Sequence, residues 1–330
     1  NNDILINENV LNEDGTLNEA NASSFVQWEP IGEPSIKMKE DSIANETVLG
    51  EFEATEHRKF IGIFNGQNYR IKGIYIYKDI VCNQALFSTN YGKIMNVQIY
   101  DSYIYSDGYT TASIVARNYG DIEDCVNYGT VGNAGVRYYV GGITTRNEGL
   151  IENCINYGYV FGRIAGGIAT DLYEGSIANN CINYGYIKGN RCGGVIGNVI
   201  NNSCALNCMN FGNIECSGGD PFAGIGIYIT DGIVINCANY GELKGIEQET
   251  HSYSGGITGT LSGTSSRVLN SFNFGNIYGS SITTGGITGI LAQNALHYEE
   301  NCYNLGNVSS TGEKVRRSNR LGKWRRKLCG

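Results

Sequence analysis

The chain has 330 residues, of which 46 are glycine, 23 tyrosine and 3 proline, and 17% are charged. This charged fraction is low for a helical protein, and the many glycines are typical of frequent tight turns. The formal net charge of −8 argues against nucleic acid as a partner of the main body of the chain. No signal peptide, transmembrane run or anchor motif is visible, which suggests a mature product or an excised segment.

Residues 1–59 differ in character from the rest of the chain. They are rich in acidic residues and lack the repeated signals described next. Because the end of a stack of β coils exposes unpaired backbone groups, we expect this segment to cap the first coil. We expect Trp28 to anchor the cap, with contact to carbohydrate as its alternative role.

Residues 60–312 repeat one unit at intervals of 27 to 34 residues. A Gly-Gly-Ile block, such as GGITTRNEGLIENC from Gly141, precedes a Cys-x-Asn-aromatic-Gly block, and CINYG occurs both at 154–158 and at 181–185. Such self-similarity is the signature of a repeat architecture, and the short apolar segments show no helical period. We therefore predict an all-β fold, a parallel β-helix (β-solenoid) of about eight or more coils with an N-terminal cap.

Equivalent residues of stacked coils form columns at a spacing of about 4.8 Å. A small buried thiol packs as a hydrophobic group, and an asparagine amide can bond to its own backbone and to the next coil. The cysteines are expected to be mostly reduced, since eleven is an odd number. We predict a structural ladder of cysteines and asparagines, with stacked aromatic residues beside them: Cys125, Cys154, Cys181, Cys208, Cys237 and Cys302; Asn127, Asn156, Asn183, Asn210, Asn239, Asn273 and Asn304.

Three stretches resemble the bacterial GLUG-motif repeat proteins: WEPIG at 28–32, FIGIFNGQNYRIKGIYI at 60–76 and ALFSTNYGKIMNVQI at 85–99. The later coils are similar to the Cys-Asn-Tyr-Gly subgroup of those repeats. The resemblance covers roughly Trp28 to Val308 and implies a secreted or surface-attached bacterial β-solenoid. Some members are parts of immunoglobulin-A-cleaving zinc peptidases. That activity is not expected here, because His57, His251 and His297 form no H-E-x-x-H motif.

One acidic corner is the best sequence candidate for a cation site or a catalytic pair. It consists of Asp121, Glu123, Asp124 and Glu152, and Arg117 and Arg146 are the basic residues of the neighbouring turns. Catalysis on a glycan would require two carboxylates with one raised pKa, or a cation with a basic residue. Because other coils carry Asn, Leu or Ile at these positions, we interpret the corner as solvated charge and expect no catalytic residue and no metal.

Residues 313–330 form a basic tail with eight Lys or Arg and one acidic residue. The repeat pattern stops there, so we expect a disordered, solvated terminus. Binding to anionic wall polymer, lipid or nucleic acid is the alternative.

These observations predict a non-catalytic extracellular repeat scaffold at a bacterial cell surface, acting in adhesion or in binding of a ligand. The expected partners are a glycan or a host or cell-surface protein. We expect a monomer without cofactors and without a transmembrane segment. The alternative is a β-helix enzyme that acts on polysaccharide, a lyase or a glycoside hydrolase.

Overall fold

A computed structural model of the chain describes residues 3–32, 59–79, 81–133, 139–217, 221–246, 253–279, 283–292 and 298–311, and the backbone of 314–316. Across these residues the chain forms about eight stacked coils whose strands pair in parallel. The helical structure described there is one short 3₁₀ turn, Ala22–Ser24. The predicted all-β parallel β-helix is therefore confirmed.

Each coil passes through four sheets, which we number in the order in which one coil meets them. Sheet 1 follows the Gly-Gly-Ile block. Its strands are Phe87–Asn90, Val115–Asn118, Thr144–Asn147, Ala169–Leu172, Ile196–Ile200, Gly226–Thr230, Thr258–Ser262 and Thr288–Leu291.

Sheet 2 holds the segment before each ladder cysteine. Its strands are Ile63–Asn65, Lys93–Met95, Asp121–Glu123, Leu150–Glu152, Ile177–Asn179, Cys204–Leu206, Ile233–Ile235, Arg267–Leu269 and Tyr298–Glu300.

Sheet 3 holds each ladder asparagine and the residue before it. Its strands are Ile4–Leu5, Arg70–Lys72, Gln98–Tyr100, Val126–Asn127, Ile155–Asn156, Ile182–Asn183, Met209–Asn210, Ala238–Asn239, Phe272–Asn273 and Tyr303–Asn304.

Sheet 4 has two parts. The first part contains Tyr75–Lys78, Tyr103–Ser106, Thr130–Gly132, Val160–Gly166, Ile187–Gly193, Ile214–Cys216, Leu243–Gly245, Ile277–Gly279 and Val308–Ser310. The second part contains Thr110–Ala112, Tyr139–Gly141, Phe222–Ala223, Tyr253–Gly255, Thr283–Gly285 and Lys314–Arg316. Val160–Gly166 and Ile187–Gly193 are long enough to run through both parts.

Sheet 4 forms an arm beside the body made by sheets 1 to 3. The body has a core of isoleucine, valine and cysteine side chains such as Ile122, Cys154 and Val199. The arm has its own small core, in which Val131 and Val160 of the first part lie in one cluster with Val140 of the second part. The two parts of sheet 4 are thus the two flanks of one arm.

The turns explain the residues that recur in every unit. Between sheets 2 and 3 the backbone takes a positive φ at the residue before each ladder cysteine, for example +53° at Asn153 and +52° at Asp124. Asparagine and aspartate tolerate this conformation better than most residues. Between sheets 4 and 1, a Cβ atom at Gly167 would overlap the Gly194 carbonyl oxygen and the Asn183 side chain. The second glycine of the Gly-Gly pair therefore leaves the space that the ladder asparagine occupies.

The N-terminal residues described lie along the first coil. Ile4–Leu5 pairs with Arg70–Lys72 at the end of sheet 3. The Trp28 backbone N–H donates to the Tyr75 carbonyl at 2.8 Å, and the Trp28 ring packs against the body core. Residues 33–58 lie outside the described part of the chain, and so do 317–330 at the other end, where Lys314–Arg316 pairs with Thr283–Gly285.

Candidate functional site

The ladder asparagines form a continuous buried column in sheet 3. Each side chain donates from Nδ2 to the Oδ1 of the next asparagine, as from Asn183 to Asn210 at 2.8 Å, and to the carbonyl of the glycine two residues later. The same geometry joins Asn127, Asn156, Asn183, Asn210, Asn239, Asn273 and Asn304 at 2.6–2.8 Å. Since every amide is satisfied by the coils beside it, the column stabilises the stack and offers nothing to a ligand.

The ladder cysteines lie inside the body. Cys125, Cys154, Cys181, Cys208 and Cys237 are fully buried and Cys302 is half-buried, and all ten cysteines that the structure describes are free thiols. Burial raises the pKa of the Cys154 and Cys237 thiols well above the usual range. A buried, protonated thiol is a poor nucleophile and a poor metal ligand, so we interpret Cys154 and Cys237 as packing groups. Hydrogen bonds with Cys181 and Cys237 instead lower the pKa of Cys208.

The aromatic residues beside the ladder stack along the outer face of sheet 3. Tyr157 and Tyr184 lie 4.9 Å apart between ring centroids and within 5° of parallel, and Tyr184 and Phe211 follow at 5.0 Å. The rings are partly exposed, Tyr184 at 42%. Because each ring face is covered by its neighbours, only ring edges meet solvent, and a flat ligand has no ring face to lie on.

The acidic corner does not converge on one point. Glu123 pairs with Lys93 at 2.7 Å, whereas Glu152 accepts from Asn179 and Asp124 from Asn153, at 2.8 and 3.0 Å. Asp121 is half-buried at the start of its sheet 2 strand. Among the described residues, no group of three or more His, Cys, Asp and Glu side chains is arranged to hold a metal ion. Each of these three paired acids thus has its own partner on the surface of the rod.

An aromatic cleft lies on the first flank of the arm, and nothing in the sequence analysis predicted it. The N-terminal residues 12–20 cross this flank and enclose a cleft of about 660 Å³. Its walls are Asn12, Gly15, Thr16, Leu17, Asn18, Glu19, Ala20, Tyr77, Tyr103, Tyr105, Thr130, Tyr159 and Phe161. We call this site the aromatic cleft.

Two small residues shape the aromatic cleft. At Thr130 the aromatic column between Tyr103 and Tyr159 is interrupted, and the Thr130 hydroxyl donates to the Gly15 carbonyl at 2.6 Å. At Gly132 a Cβ atom would overlap the Phe161 ring, so the ring leans across this glycine. The third coil therefore leaves a depression, into which the N-terminal loop descends.

The rings of the aromatic cleft differ in how deeply they are buried. Tyr77 is 46% exposed and stacks on Tyr105 at 4.9 Å. Burial raises the pKa of Tyr103 to about 12, with smaller contributions from neighbouring tyrosines and Glu19. The Tyr103 phenol therefore stays protonated at neutral pH, where it can donate as well as accept hydrogen bonds.

A second site lies on the other flank of the arm, at the inside angle between sheet 1 and the second part of sheet 4. Tyr139–Gly141 packs against two sheet 1 strands, Thr144–Asn147 and Ala169–Leu172. Thr145 and Thr170 are buried at the base of this angle. We call it the arginine groove and define it by Arg117, Arg146, Asp171 and Asn198 on sheet 1 and Tyr139 and Arg191 on sheet 4.

Strand register brings the groove residues together. Arg117 pairs with Arg146, Arg146 with Asp171, and Asp171 with Asn198 on successive coils. On sheet 4, Tyr139 and Arg191 both pair with Ile164 and so lie on either side of it. Charges on one wall affect the other. Burial is the main cause of the raised pKa of Tyr139; the Asp171 charge raises this pKa further, and the Arg191 charge lowers it.

Asp171 is the carboxyl group among the residues that define the groove. Desolvation raises its pKa to about 6, although the hydrogen bond from Asn198 at 2.6 Å and the nearby Arg146 act in the opposite direction. Arg146 itself donates to Glu148 at 2.7 Å and lies over the Tyr173 ring at 4.7 Å. The side chains are therefore held in place by one another.

The sequence predicts Arg117 and Arg146 beside the acidic corner, but they belong to the arginine groove. The corner acids lie on sheet 2 and in the turn after it, beyond the turn that follows the sheet 1 strand. A signal for the groove was present in the repeat itself. The position of Arg146 in the unit changes type from coil to coil, reading Thr89, Arg117, Arg146, Asp171, Asn198, Tyr228, Thr260 and Ile290 in register.

No family model and no curated protein matches the chain, so the likeness to GLUG-motif repeat proteins stays a prediction. Among solved structures, the chain is similar to a candidate immunoglobulin A1 protease from Bacteroides ovatus, with 18% identity and a TM-score of 0.36. The alignment covers 80% of this chain and 70% of that one. A likeness at this level says nothing about activity.

The described residues contain no helix long and apolar enough to cross a bilayer.

Proposed function

We propose that this protein is a non-catalytic, extracellular repeat scaffold that binds a glycan in the aromatic cleft. The observation that carries the proposal is the cleft itself, where five aromatic side chains face polar residues of the N-terminal loop. On the outer face of sheet 3, by contrast, the rings are stacked on each other and the ladder amides are paired.

The chemistry of the aromatic cleft suits a sugar. One side of a pyranose ring presents C–H groups, which pack on aromatic rings, and its hydroxyls require donors and acceptors. Tyr77 and Tyr159 supply ring surface, while Asn12, Asn18 and Glu19 supply amide and carboxylate groups. A volume of about 660 Å³ lies within the range of small-molecule sites, about 300–1,000 Å³.

Binding to a glycan array tests the proposal, with two matched tyrosine variants. Tyr77→Ala removes a cleft ring that is 46% exposed, and Tyr184→Ala removes a ring that is 42% exposed on the outer face of sheet 3. We expect Tyr77→Ala to lose at least about tenfold in affinity, and Tyr184→Ala to bind as the parent does. Equal loss in both variants, or no glycan binding by the parent, would contradict the proposal.

One observation favours the alternative, an enzyme that acts on polysaccharide. Asp171 is a carboxyl group with a raised pKa, lying beside arginine and tyrosine side chains, and such groups are candidates for general acid catalysis. Release of reducing sugar by the parent, abolished in Asp171→Asn, would establish this alternative in place of the non-catalytic scaffold.

A further inference from the structure

We infer that the arginine groove is a second binding site, and that it takes a sugar bearing a carboxylate. The inference is independent of the aromatic cleft, which lies on the opposite flank of the arm. It rests on the position, charge and fixed geometry of the groove side chains.

The groove is a local concentration of arginine on an acidic rod. Between residues 71 and 266 the sequence has five arginines, and all fall between 117 and 191. Arg117 and Arg146 stand on neighbouring rungs of sheet 1, and Arg191 stands on the facing wall. With Asp171 and Glu148 both ionised, these five groups carry one net positive charge, in a chain whose formal net charge is −8.

The type of cation indicates the type of ligand. A guanidinium group presents a planar fork of N–H donors that matches a carboxylate with two parallel hydrogen bonds. The Arg146 fork is held by Glu148 and by the Tyr173 ring, so little freedom remains to be lost when a ligand binds.

The remaining groove side chains suit the hydroxyls of a sugar. Tyr139 lies beside Tyr109, with ring centroids 5.1 Å apart, which gives the groove an aromatic wall. Asn198 and Asp171 are joined by a hydrogen bond and offer amide and carboxylate oxygens on neighbouring rungs. Because the groove runs across successive coils, neighbouring units of an acidic oligosaccharide can lie along neighbouring rungs.

Asp171 makes the affinity of the groove for an acidic ligand depend on pH. An ionised Asp171 repels a carboxylate ligand, and a protonated one can donate a hydrogen bond to it. Arg146, Tyr109 and Tyr139 interact with the Asp171 charge, and Arg117, Arg191 and Glu148 are the other charged groups nearby. Burial raises the pKa of both tyrosines, so they stay neutral between pH 5 and 7. Uronate carboxylates remain largely ionised in the same range, so affinity should rise as the pH falls.

Calorimetry with charged and uncharged forms of the same oligosaccharide tests the inference. The probes are hexagalacturonate and its fully methyl-esterified form, together with sialyllactose and lactose. We expect at least one acidic probe to bind at least about tenfold more tightly than its neutral counterpart. Equal affinities within both pairs, or no binding of either acidic probe at millimolar concentration, would overturn the inference.

Charge-matched variants locate the site. Arg146→Gln and Arg191→Gln should each weaken binding of the acidic probe by about tenfold, whereas Lys244→Gln, an exposed change of the same charge on sheet 4, should leave it unaltered. Equal effects of all three changes would show only a general attraction by net charge, and the inference would fail.

If the arginine variants do not fold, Asp171→Asn provides a second test of the groove. This change keeps the shape of the side chain and an oxygen for Asn198, and we expect it to strengthen binding at pH 7 by severalfold and to remove the rise in affinity between pH 7 and 5. Unchanged or weaker binding would refute the role of the groove. Tyr77→Ala, in the aromatic cleft, should not affect this binding, which separates failure of the groove from failure of the cleft.

Discussion

The ladder of sheet 3 and the side chains that line the two candidate sites follow opposite rules. In sheet 3, one asparagine and one aromatic residue recur through the middle coils, whereas the sheet 1 position that includes Arg146 changes in almost every coil. In the ladder, each side chain has an equivalent residue of the next coil as its partner, so a change in one coil leaves two neighbours unsatisfied. At the candidate sites, side chains meet solvent or other elements, and the repeat tolerates variation. Repetition in this chain therefore indicates stability, and departure from repetition indicates the candidate sites.

Gly167→Ala should give the largest effect on the body, because a Cβ atom would overlap both a backbone carbonyl and the Asn183 side chain. We expect a loss of more than about 4 kcal/mol in the free energy of unfolding, or failure to fold. Gly175→Ala is the control: its φ is +78° and nothing lies within 4 Å of the added Cβ, so about 1 kcal/mol is expected. Denaturant titration followed by circular dichroism measures both. Similar losses would mean that the Gly-Gly turn and the asparagine column are not coupled.

Asn183→Ala should cost about 3 kcal/mol, because it removes one rung of the buried amide column. The change deprives Asn156 of an acceptor and Asn210 of a donor, and also leaves the Gly185 N–H without its side-chain partner. Lys188→Ala removes an exposed ion pair with Glu215 and should cost less than about 1 kcal/mol. Equal melting temperatures of the two variants would show that a rung of the asparagine column contributes no more to stability than the Lys188–Glu215 ion pair.

Asp171→Asn should stabilise the protein by about 1–3 kcal/mol at pH 7, in contrast to the changes in the ladder and its Gly-Gly turn. The pKa of Asp171 rises from 3.8 to about 6 on folding, so the folded protein retains a proton that the unfolded chain has released. Stability is therefore lost as the pH rises from about 4 to about 6, and the variant escapes this loss. Urea titrations at pH 4 and pH 7 measure the difference. A gain of equal size at both pH values would show that ionisation of Asp171 is not its cause.

Tyr184→Ala should have the smallest effect, about 1–2 kcal/mol, since it removes two stacked ring contacts on a partly exposed face. Tyr278→Ala is its control, because Tyr278 is equally exposed, at 41%, and has no ring partner among the described residues. Thermal melts of the two variants compare them directly. Equal melting temperatures would show that stacking in the aromatic column adds no stability beyond that of an unstacked surface tyrosine.

The sequence determined the coil because the residue pattern of one coil recurs many times along the chain. A Gly-Gly pair, an asparagine before each cysteine and an asparagine after it each satisfy one local requirement: close backbone approach at Gly167, a positive φ at Asn153 and a buried amide rung at Asn183. These requirements act within one coil or between neighbouring coils, at one repeat's distance along the chain. They are therefore visible as a pattern, and the parallel β-helix follows from them.

The tertiary structure alone decided where the candidate sites lie, because both depend on contacts that the repeat does not encode. The aromatic cleft needs the N-terminal loop to cross the arm, and the bond from Thr130 to Gly15 joins residues 115 positions apart. The arginine groove needs sheet 1 to meet the second part of sheet 4, which brings Asp171 near Tyr139 and raises the pKa of both. The sequence gives the order of residues around each coil, but the angle at the Gly-Gly turn sets which outward side chains face each other.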